Sequence, residues 1–284
     1  GNIATNGDVT AETGKAVLNS KSGSVTMQNV AGNSEVDIDA AYDITADGNL
    51  TSNNGDITMD AGGSITTRKQ VKALNNVIAN ANGNIATNGD VTADNGKAAL
   101  NSIEGSVNTG NVTADQAVDI DAAQDITADG NLTSNNGDIT LDAGNSITTN
   151  GTVNALNNVI TNANGNITTN GDVTAETGKA VLNSKSGSVT MQNVAGNSEV
   201  DIDAAYDITA DGNLTSNNGD ITMDAGGSIT TNSIVNALNN VIANANGDIA
   251  TNGNVTAETG KAVLNSKSGS VTMQNVTADQ VVDI

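Results

Sequence analysis

The chain has 284 residues, among them two tyrosines and no Phe, Trp, His, Cys or Pro. Without aromatic side chains a wide spherical core could not be packed to normal density, whereas a narrow core of Val, Ile, Leu and Ala could. The net charge of −22 argues against nucleic acid as a partner, because phosphate binding needs clustered Lys and Arg. No apolar run of about 18 residues is present that could span a membrane.

An 82-residue unit repeats along the chain with few changes, which is typical of stacked rather than globular architectures. The copies span residues 1–82, 83–164, 165–246 and, in part, 247–284. We therefore expect residues 1–284 to form a single continuous stacked segment without domain boundaries. Because the fourth copy stops partway through the unit, we also expect the chain to be a piece of a larger repetitive protein.

A shorter period lies inside each unit, because aliphatic residues recur every few positions and fall into three columns. The first column is Ile3, Val25, Ile44, Ile65 and Ile85; the second is Val9, Val30, Leu50, Val71 and Val91; the third is Leu18, Ile38, Ile57, Ile78 and Leu100. Three short strands in a coil of about 20 residues predict an all-β solenoid with about 14 coils. Antiparallel hairpins in a sandwich or propeller are the alternative, but the equal columns favour parallel stacking.

Glycine and asparagine mark the corners between the predicted strands, as in Asn6-Gly7 and Asn54-Gly55. Both residues tolerate a positive φ angle, so we expect the corners to use it. The absence of proline follows from the same architecture, because an interior strand needs every backbone N–H for the neighbouring coil.

Catalysis would have to rely on carboxylates, since the chain lacks the His and Cys of common triads and zinc sites. The first unit offers Asp37, Asp39, Asp43, Asp47, Asp56 and Asp60. Some β-helical polysaccharide lyases and hydrolases use aspartate clusters on adjacent coils. These aspartates recur in the second and third units, however, whereas a catalytic site occurs once. We therefore predict that the chain is not an enzyme and has no catalytic or cofactor-binding residues.

Two further features are candidates for ligand binding. The columns align Asp37 with Asp56 of the next coil, a pairing that would favour Ca²⁺; solvated carboxylates are the preferred interpretation, and no metal site is predicted. Arg68, Lys69 and Lys72 form the one basic cluster, which could meet an anionic glycan, although drift at an exposed corner explains it as well.

The tyrosines, Tyr42 and Tyr206, occupy one repeat position. An isolated aromatic on a strand usually covers a neighbouring side chain. We therefore expect both rings to lie on a strand and to play this covering role.

The whole chain resembles the filamentous-haemagglutinin-like exoproteins of bacterial two-partner secretion. The resemblance rests on sequence segments such as GNIATNGDVTA, GKAVLNSKSGSVTM and DIDAAYDITADGNLTSNNGDITMDAGGSITT. It implies a right-handed parallel β-helix, an outer-membrane secretion partner, and an adhesin at the bacterial cell surface. The family's secretion domain and its NPNG-type motif are not present in these residues.

The sequence thus predicts a structural stalk or filament of a giant extracellular adhesin-like protein that mediates cell-surface attachment or cell-cell contact. The alternatives are a multivalent glycan-binding face and a self-bundling fibre or sheath subunit. The expected partners are a host or neighbouring cell, its glycans, or further copies of the chain.

Overall fold

A computed structural model describes residues 1–284 as an all-β protein with 42 strands. The chain divides into two compact units, Gly1–Ala143 and Gly144–Ile284. Each unit contains three parallel sheets, and consecutive strands of the chain belong to the first, second and third sheet in turn. The structure contains no helix with the length and apolar character needed to cross a membrane.

The first unit holds 21 strands, or seven coils. These are β1 (Ile3–Ala4), β2 (Val9–Ala11), β3 (Lys15–Ser20), β4 (Val25–Met27), β5 (Val30–Gly32), β6 (Glu35–Ala40), β7 (Ile44–Ala46), β8 (Leu50–Ser52), β9 (Ile57–Ala61), β10 (Ile65–Thr67), β11 (Val71–Ala73), β12 (Val77–Ala81), β13 (Ile85–Thr87), β14 (Val91–Ala93), β15 (Ala98–Ser102), β16 (Val107–Thr109), β17 (Val112–Ala114), β18 (Val118–Ala122), β19 (Ile126–Ala128), β20 (Leu132–Ser134) and β21 (Ile139–Ala143).

The second unit also holds 21 strands. These are β22 (Ile147–Thr149), β23 (Val153–Ala155), β24 (Val159–Ala163), β25 (Ile167–Thr169), β26 (Val173–Ala175), β27 (Lys179–Ser184), β28 (Val189–Met191), β29 (Val194–Gly196), β30 (Glu199–Ala204), β31 (Ile208–Ala210), β32 (Leu214–Ser216), β33 (Ile221–Ala225), β34 (Ile229–Thr231), β35 (Val235–Ala237), β36 (Val241–Ala245), β37 (Ile249–Thr251), β38 (Val255–Ala257), β39 (Lys261–Ser266), β40 (Val271–Met273), β41 (Val276–Ala278) and β42 (Val281–Asp283).

Within each unit, strands that lie three places apart along the chain pair in parallel. Paired residues lie 19 to 22 positions apart, as between Val25 and Ile44 or between Ile3 and Val25. The prediction of a parallel β-solenoid with three strands per coil and about 14 coils is therefore confirmed. The single continuous segment 1–284 stays a prediction.

The core lies inside the coils and is filled by alternate residues of every strand, because side chains alternate between the two faces of a strand. The first and second predicted columns are confirmed by the register of their strands, for example Ile65 beside Ile85 and Val71 beside Val91. These side chains are almost fully buried.

The third predicted column is wrong at two positions. Ile57 pairs with Val36 rather than Ile38, and Ile78 pairs with Thr58 on the outward face. The strands of the third sheet are five or six residues long in most coils and turn three residues inward, so the sequence offers more than one row of aliphatics. The inward row of Ile38 continues through Met59.

The corners differ from the expectation in their backbone angles. No glycine and no other residue has a positive φ angle. Corner glycines such as Gly55 are needed for close approach between coils instead: a Cβ atom on Gly55 would lie 1.8 Å from the carbonyl oxygen of Ser34. On Gly219 it would lie 1.7 Å from the carbonyl oxygen of Ser198.

The corners also carry hydrogen bonds from coil to coil. The last serine of the KAxLNS strand donates its Oγ–H to the carbonyl oxygen of the glycine that opens the same 82-residue copy. This contact measures 2.7 Å in all four copies, from Ser20 to Gly1, Ser102 to Gly83, Ser184 to Gly165 and Ser266 to Gly247. Backbone N–H groups at the corners bond to the preceding or the following coil in the same way, which accounts for the absence of proline.

Candidate functional site

The outward face of the third sheet carries rows of aspartate and asparagine that follow the strand register. In the first four coils one row reads Asn19, Asp39, Asp60 and Asn80, one residue from each of β3, β6, β9 and β12. The alternation that buries Ile38 and Met59 turns the residues after them outward. Two aspartates therefore face each other on neighbouring strands, with an asparagine beyond each.

The asparagines at the two ends of this row hydrogen-bond to the aspartates between them. Asn19 donates Nδ2–H to Asp39 Oδ2 at 2.9 Å, and Asn80 donates Nδ2–H to Asp60 Oδ1 at 2.8 Å. Neither aspartate can donate to the other while both are ionised, because a carboxylate only accepts hydrogen bonds.

The same facing aspartates recur in the second and third copies, where the register pairs Asp121 with Asp142 and Asp203 with Asp224. In the third copy Asn244 donates Nδ2–H to Asp224 Oδ1 at 2.7 Å. We call Asp39/Asp60, Asp121/Asp142 and Asp203/Asp224 the aspartate pairs.

The aligned pair that the sequence suggested, Asp37 with Asp56, is wrong. Asp37 lies beside Thr58, and Asp56 Oδ1 accepts hydrogen bonds from the backbone and side-chain nitrogens of Asn76 at 2.8 and 3.0 Å. The displacement has the same origin as the error in the third column, a shift of the assumed register within the longer strands.

A groove runs beside the aspartate pairs in the first and third copies. In the first copy it has a volume of about 490 Å³, and its lining includes Lys21, Ala41, Gly62 and Asn82. Ala41 and Gly62 have small or no side chains, so they leave the space open next to Asp39 and Asp60. The equivalent groove in the third copy has a volume of about 390 Å³ and is lined by Lys185, Ala205, Gly226, Asn246 and Lys267.

Burial and neighbouring carboxylates raise the pKa of several aspartates on this face. The pKa of Asp203 is raised by burial and by the facing charge of Asp224. The pKa of Asp121 is raised by burial and then by Asp119 and Asp142. Each cause disfavours the ionised carboxyl, so this face holds protons more readily than an isolated aspartate.

In the first copy the raised pKa belongs to Asp37, whose charged form is disfavoured by burial and by Asp39, Glu35 and Asp60. Asp201, the same position in the third copy, has a raised pKa for corresponding reasons.

The remaining candidate aspartates do not join the pairs. Asp43 Oδ1 accepts the backbone N–H of Ser64 at 2.8 Å, which caps a corner, and Asp47 Oδ1 lies 3.2 Å from Arg68 Nη1. No group of three or more carboxylates is placed to hold a metal ion. The structure thus separates the six aspartates into one facing pair, Asp37 on its strand, and three corner contacts at Asp43, Asp47 and Asp56.

The basic cluster is largely neutralised by carboxylates of adjacent coils. Arg68 pairs with Asp47 and Lys72 Nζ lies 3.1 Å from Asp94, whereas Lys69 is exposed. The corresponding pairs in later copies are amide–carboxylate hydrogen bonds, from Asn154 to Glu176 and from Asn236 to Glu258, both 3.1 Å. Equivalent coils are thus bridged by a lysine–aspartate ion pair in the first copy and by an asparagine–glutamate hydrogen bond in the later copies. Ligand binding by this cluster stays a prediction.

The prediction that Tyr42 and Tyr206 lie on strands is wrong. Each lies at the corner that follows the third-sheet strand, two residues after its last alanine, and each residue is 61% exposed.

Comparison of the chain with protein-family models, with curated proteins and with solved structures finds no match. The fold is that of a parallel β-solenoid and is compatible with a β-helix repeat protein.

Proposed function

We propose that the chain is a structural stalk or filament segment of an extracellular, adhesin-like protein at a bacterial cell surface. The observation that carries this proposal is the equivalence of the copies: the same coil-to-coil hydrogen bond of 2.7 Å recurs in the first coil of all four. Because the hydrogen bonds between coils and the aspartate pairs both recur from copy to copy, the chain is suited to forming an extended structure rather than a single reactive site.

The proposal includes export through an outer-membrane partner, attachment to a host or neighbouring cell, and no enzymatic activity. Its support is the family resemblance of the sequence together with the solenoid fold. The absence of cysteine is in keeping with export, because a chain that crosses a pore unfolded must avoid premature disulfides.

The length of the molecule tests the structural role. Removing residues 83–164 joins Asn82 to Gly165 and reproduces the Asn82-Gly83 junction. We expect the variant to fold and to lose four coils, or about 19 Å of length at about 4.8 Å per coil, in small-angle scattering and electron microscopy. A matched variant with an additional copy should lengthen by the same amount. A deletion variant that unfolds would contradict the proposal.

A second candidate function is a multivalent glycan-binding face, favoured by the recurrence of the polar groove at Lys21 and Lys185. Soluble chain applied to glycan arrays and to cells tests it, with the variants Asp39→Ala and Asp203→Ala as probes of the two grooves. Binding that both substitutions weaken would favour the groove, and a chain that binds nothing would favour the stalk.

A further inference from the structure

Twelve asparagines of this chain are followed directly by glycine, and the structure holds their peptide groups in different ways. Asparagine is thermolabile in proteins, because the backbone nitrogen of the next residue can attack its side-chain amide. Glycine has no side chain to hinder that attack. A hydrogen bond that fixes the peptide group opposes the attack, since the nitrogen must turn toward the asparagine side chain. The contacts at each corner therefore decide which asparagine reacts.

The peptide group between Asn82 and Gly83 is fixed by the coils on both sides. The N–H of Gly83 donates to the carbonyl oxygen of Gly63 at 2.8 Å, and the carbonyl oxygen of Asn82 accepts the N–H of Glu104 at 2.8 Å. Attack by the nitrogen of Gly83 must first break these contacts. The same two kinds of contact hold the equivalent peptide groups, Asn164–Gly165 and Asn246–Gly247.

The peptide group between Asn88 and Gly89, six residues later, is not held in this way. Neither the carbonyl oxygen of Asn88 nor the N–H of Gly89 has a hydrogen-bond partner in the protein. Asn88 is anchored through its own N–H, which donates to the carbonyl oxygen of Thr67 at 2.8 Å and is not part of the peptide group that must turn. The nitrogen of Gly89 can thus approach the Asn88 side chain without breaking a contact between coils.

The same corner in the third and fourth copies has an unbonded peptide group but an engaged side chain. There each asparagine donates Nδ2–H to an asparagine of the preceding coil, from Asn170 to Asn150 and from Asn252 to Asn232, both at 2.8 Å. This bond restrains the amide that would have to react. Reaction at these two corners should therefore be slower than at a corner whose amide is free.

The side chain of Asn88 has no such restraint. Arg68 occupies the neighbouring place in the preceding coil, because Thr67 and Thr87 are register partners. Its guanidinium pairs with Asp47 of the coil before that, at 3.2 Å. Asn88 is exposed, and its side chain makes no hydrogen bond to another residue. Both groups that must meet, the nitrogen of Gly89 and the amide of Asn88, are therefore free.

The remaining asparagine–glycine pairs beyond the first coil are each engaged in some way. The carbonyl oxygen of Asn95 accepts Nε2–H of Gln116 at 3.0 Å. Asn150 accepts the amide of Asn170. The other three donate their side-chain amides to the preceding coil, namely Asn54, Asn136 and Asn218.

We propose that Asn88 is the preferred site, beyond the first coil, at which this chain modifies itself covalently by deamidation. The nitrogen of Gly89 forms a bond to the side-chain carbonyl carbon of Asn88, and the C–N bond of the amide breaks. The amide nitrogen leaves as ammonia and takes the hydrogen of the Gly89 N–H with it. Water then opens the resulting succinimide ring to aspartate or to isoaspartate. This inference does not depend on the proposed stalk function.

The modification places a negative charge beside the basic cluster. Either product changes the net charge of the chain from −22 to −23, because a neutral amide becomes a carboxylate. A carboxylate at position 88 lies next to Arg68 in the register and competes with Asp47 for the guanidinium. Deamidation should therefore weaken the attraction of this cluster for anions.

Peptide mapping of the folded, full-length chain tests the proposal. Trypsin cleaves after Lys72 and Lys97, so a single peptide, 73–97, carries both Asn82 and Asn88. After incubation in mildly alkaline buffer, fragmentation mass spectrometry locates the replacement of NH2 by OH. We expect Asn88 to react at least about tenfold faster than Asn82, because two hydrogen bonds must open before Asn82 reacts. Equal rates at the two positions would overturn the proposal.

The same chain unfolded in urea is the matched control. Both asparagines precede glycine, so their rates should become similar once the coils are lost. A ratio of rates that is the same in urea and in buffer would overturn the proposal, because the local sequence alone would then explain the preference.

Two variants test the role of the free side chain. Arg68→Asn supplies the amide partner that the later copies have, and should slow the reaction at Asn88 roughly fivefold, to the rate at Asn170. Asparagine already stands at this position in the second and third copies, so we expect the variant to fold. Lys69→Ser also removes one positive charge, introduces the residue found at Ser233, and should leave the rate unchanged. Equal slowing by both substitutions would contradict the proposal, because loss of charge would then explain it.

Discussion

Two corners at the same repeat position, one with glycine and one with alanine, differ in where the following strand begins. The first copy has Gly32 here, and its third-sheet strand begins at Glu35. The second copy has Ala114, and the equivalent strand begins one residue later, at Val118. A Cβ atom on Gly32 would lie 2.0 Å from the carbonyl oxygen of Glu35, so the tight corner requires glycine.

The pairing between coils is one residue longer beside Gly32 and Gly196 than beside Ala114. With Gly32, strands β3 and β6 share six register partners, beginning with Lys15 beside Glu35. In the second copy β15 and β18 share five. The third copy, with Gly196, again has six. In the last coil Lys261 pairs with Val281 although Ala278 stands at this position, but β42 is the final strand. In the first and third copies, where glycine stands at this position, the two strands therefore have one more register pair than in the second copy. The residues of that extra pair form an ion pair.

The largest expected effect comes from closing the tight corner. Gly32→Ala should lower the free energy of unfolding by about 3 kcal/mol, because the new methyl group overlaps a backbone carbonyl that cannot move alone. Urea unfolding followed by circular dichroism measures the loss. The reverse change, Ala114→Gly, is the matched control and should cost only about 0.5–1 kcal/mol through backbone entropy. Equal losses at the two positions would mean that the corners do not differ in the way described.

An intermediate effect is expected in the core behind both corners. Val36 and Val118 are the first fully buried residues after the corner, at 0% and 1% exposure. Val36→Ala and Val118→Ala should each lower the free energy of unfolding by about 2 kcal/mol, since each leaves a cavity in a packed row. Their near equality, measured by the same urea titrations, would show that the corners differ in the backbone and not in the core. A difference above about 1 kcal/mol would contradict this.

The smallest effect is expected from the ion pair between Lys15 and Glu35 beside the tight corner. The hydrogen bond and charge of Glu35 raise the pKa of Lys15 above its ordinary value. The pair therefore contributes stability below the ordinary lysine pKa of about 10.4, and the contribution is lost as the pH rises through the folded value. Glu35→Gln should return the Lys15 pKa toward normal in an NMR titration, while Glu12→Gln should not. The thermal midpoint at pH 7 should hardly change, because the pair is exposed.

The sequence predicted the coil well because its strongest signal is periodic. Ile65 and Ile85, or Val71 and Val91, occupy equal places in short strands with two inward positions, so spacing alone aligned them. In the longer strands of the third sheet, spacing could not choose between Ile57 and Met59 as the partner of Ile38. That ambiguity of two residues misplaced the aspartates as well, and it hid the fact that Asp39 lies beside Asp60 in the register.

The corner geometry was less accessible for a different reason. Asn54-Gly55 has the composition of a turn with positive φ, but Gly55 is required by the carbonyl oxygen of Ser34, 21 residues earlier in the chain. Local propensity describes a residue and its neighbours in sequence, whereas this constraint comes from the adjacent coil. The partners of Arg68 and Lys72 are likewise set by the coils on either side.

The serine-to-glycine hydrogen bond in the first coil of each copy bears on how such a protein changes over generations. Donor and acceptor belong to the same copy, as with Ser102 and Gly83, so a copy brings this contact with it wherever it is inserted. A recombination event that adds or removes 82 residues creates no new kind of contact to be optimised. Length can therefore vary between descendants by whole steps at little cost in stability, while the surface that every coil presents is inherited unchanged.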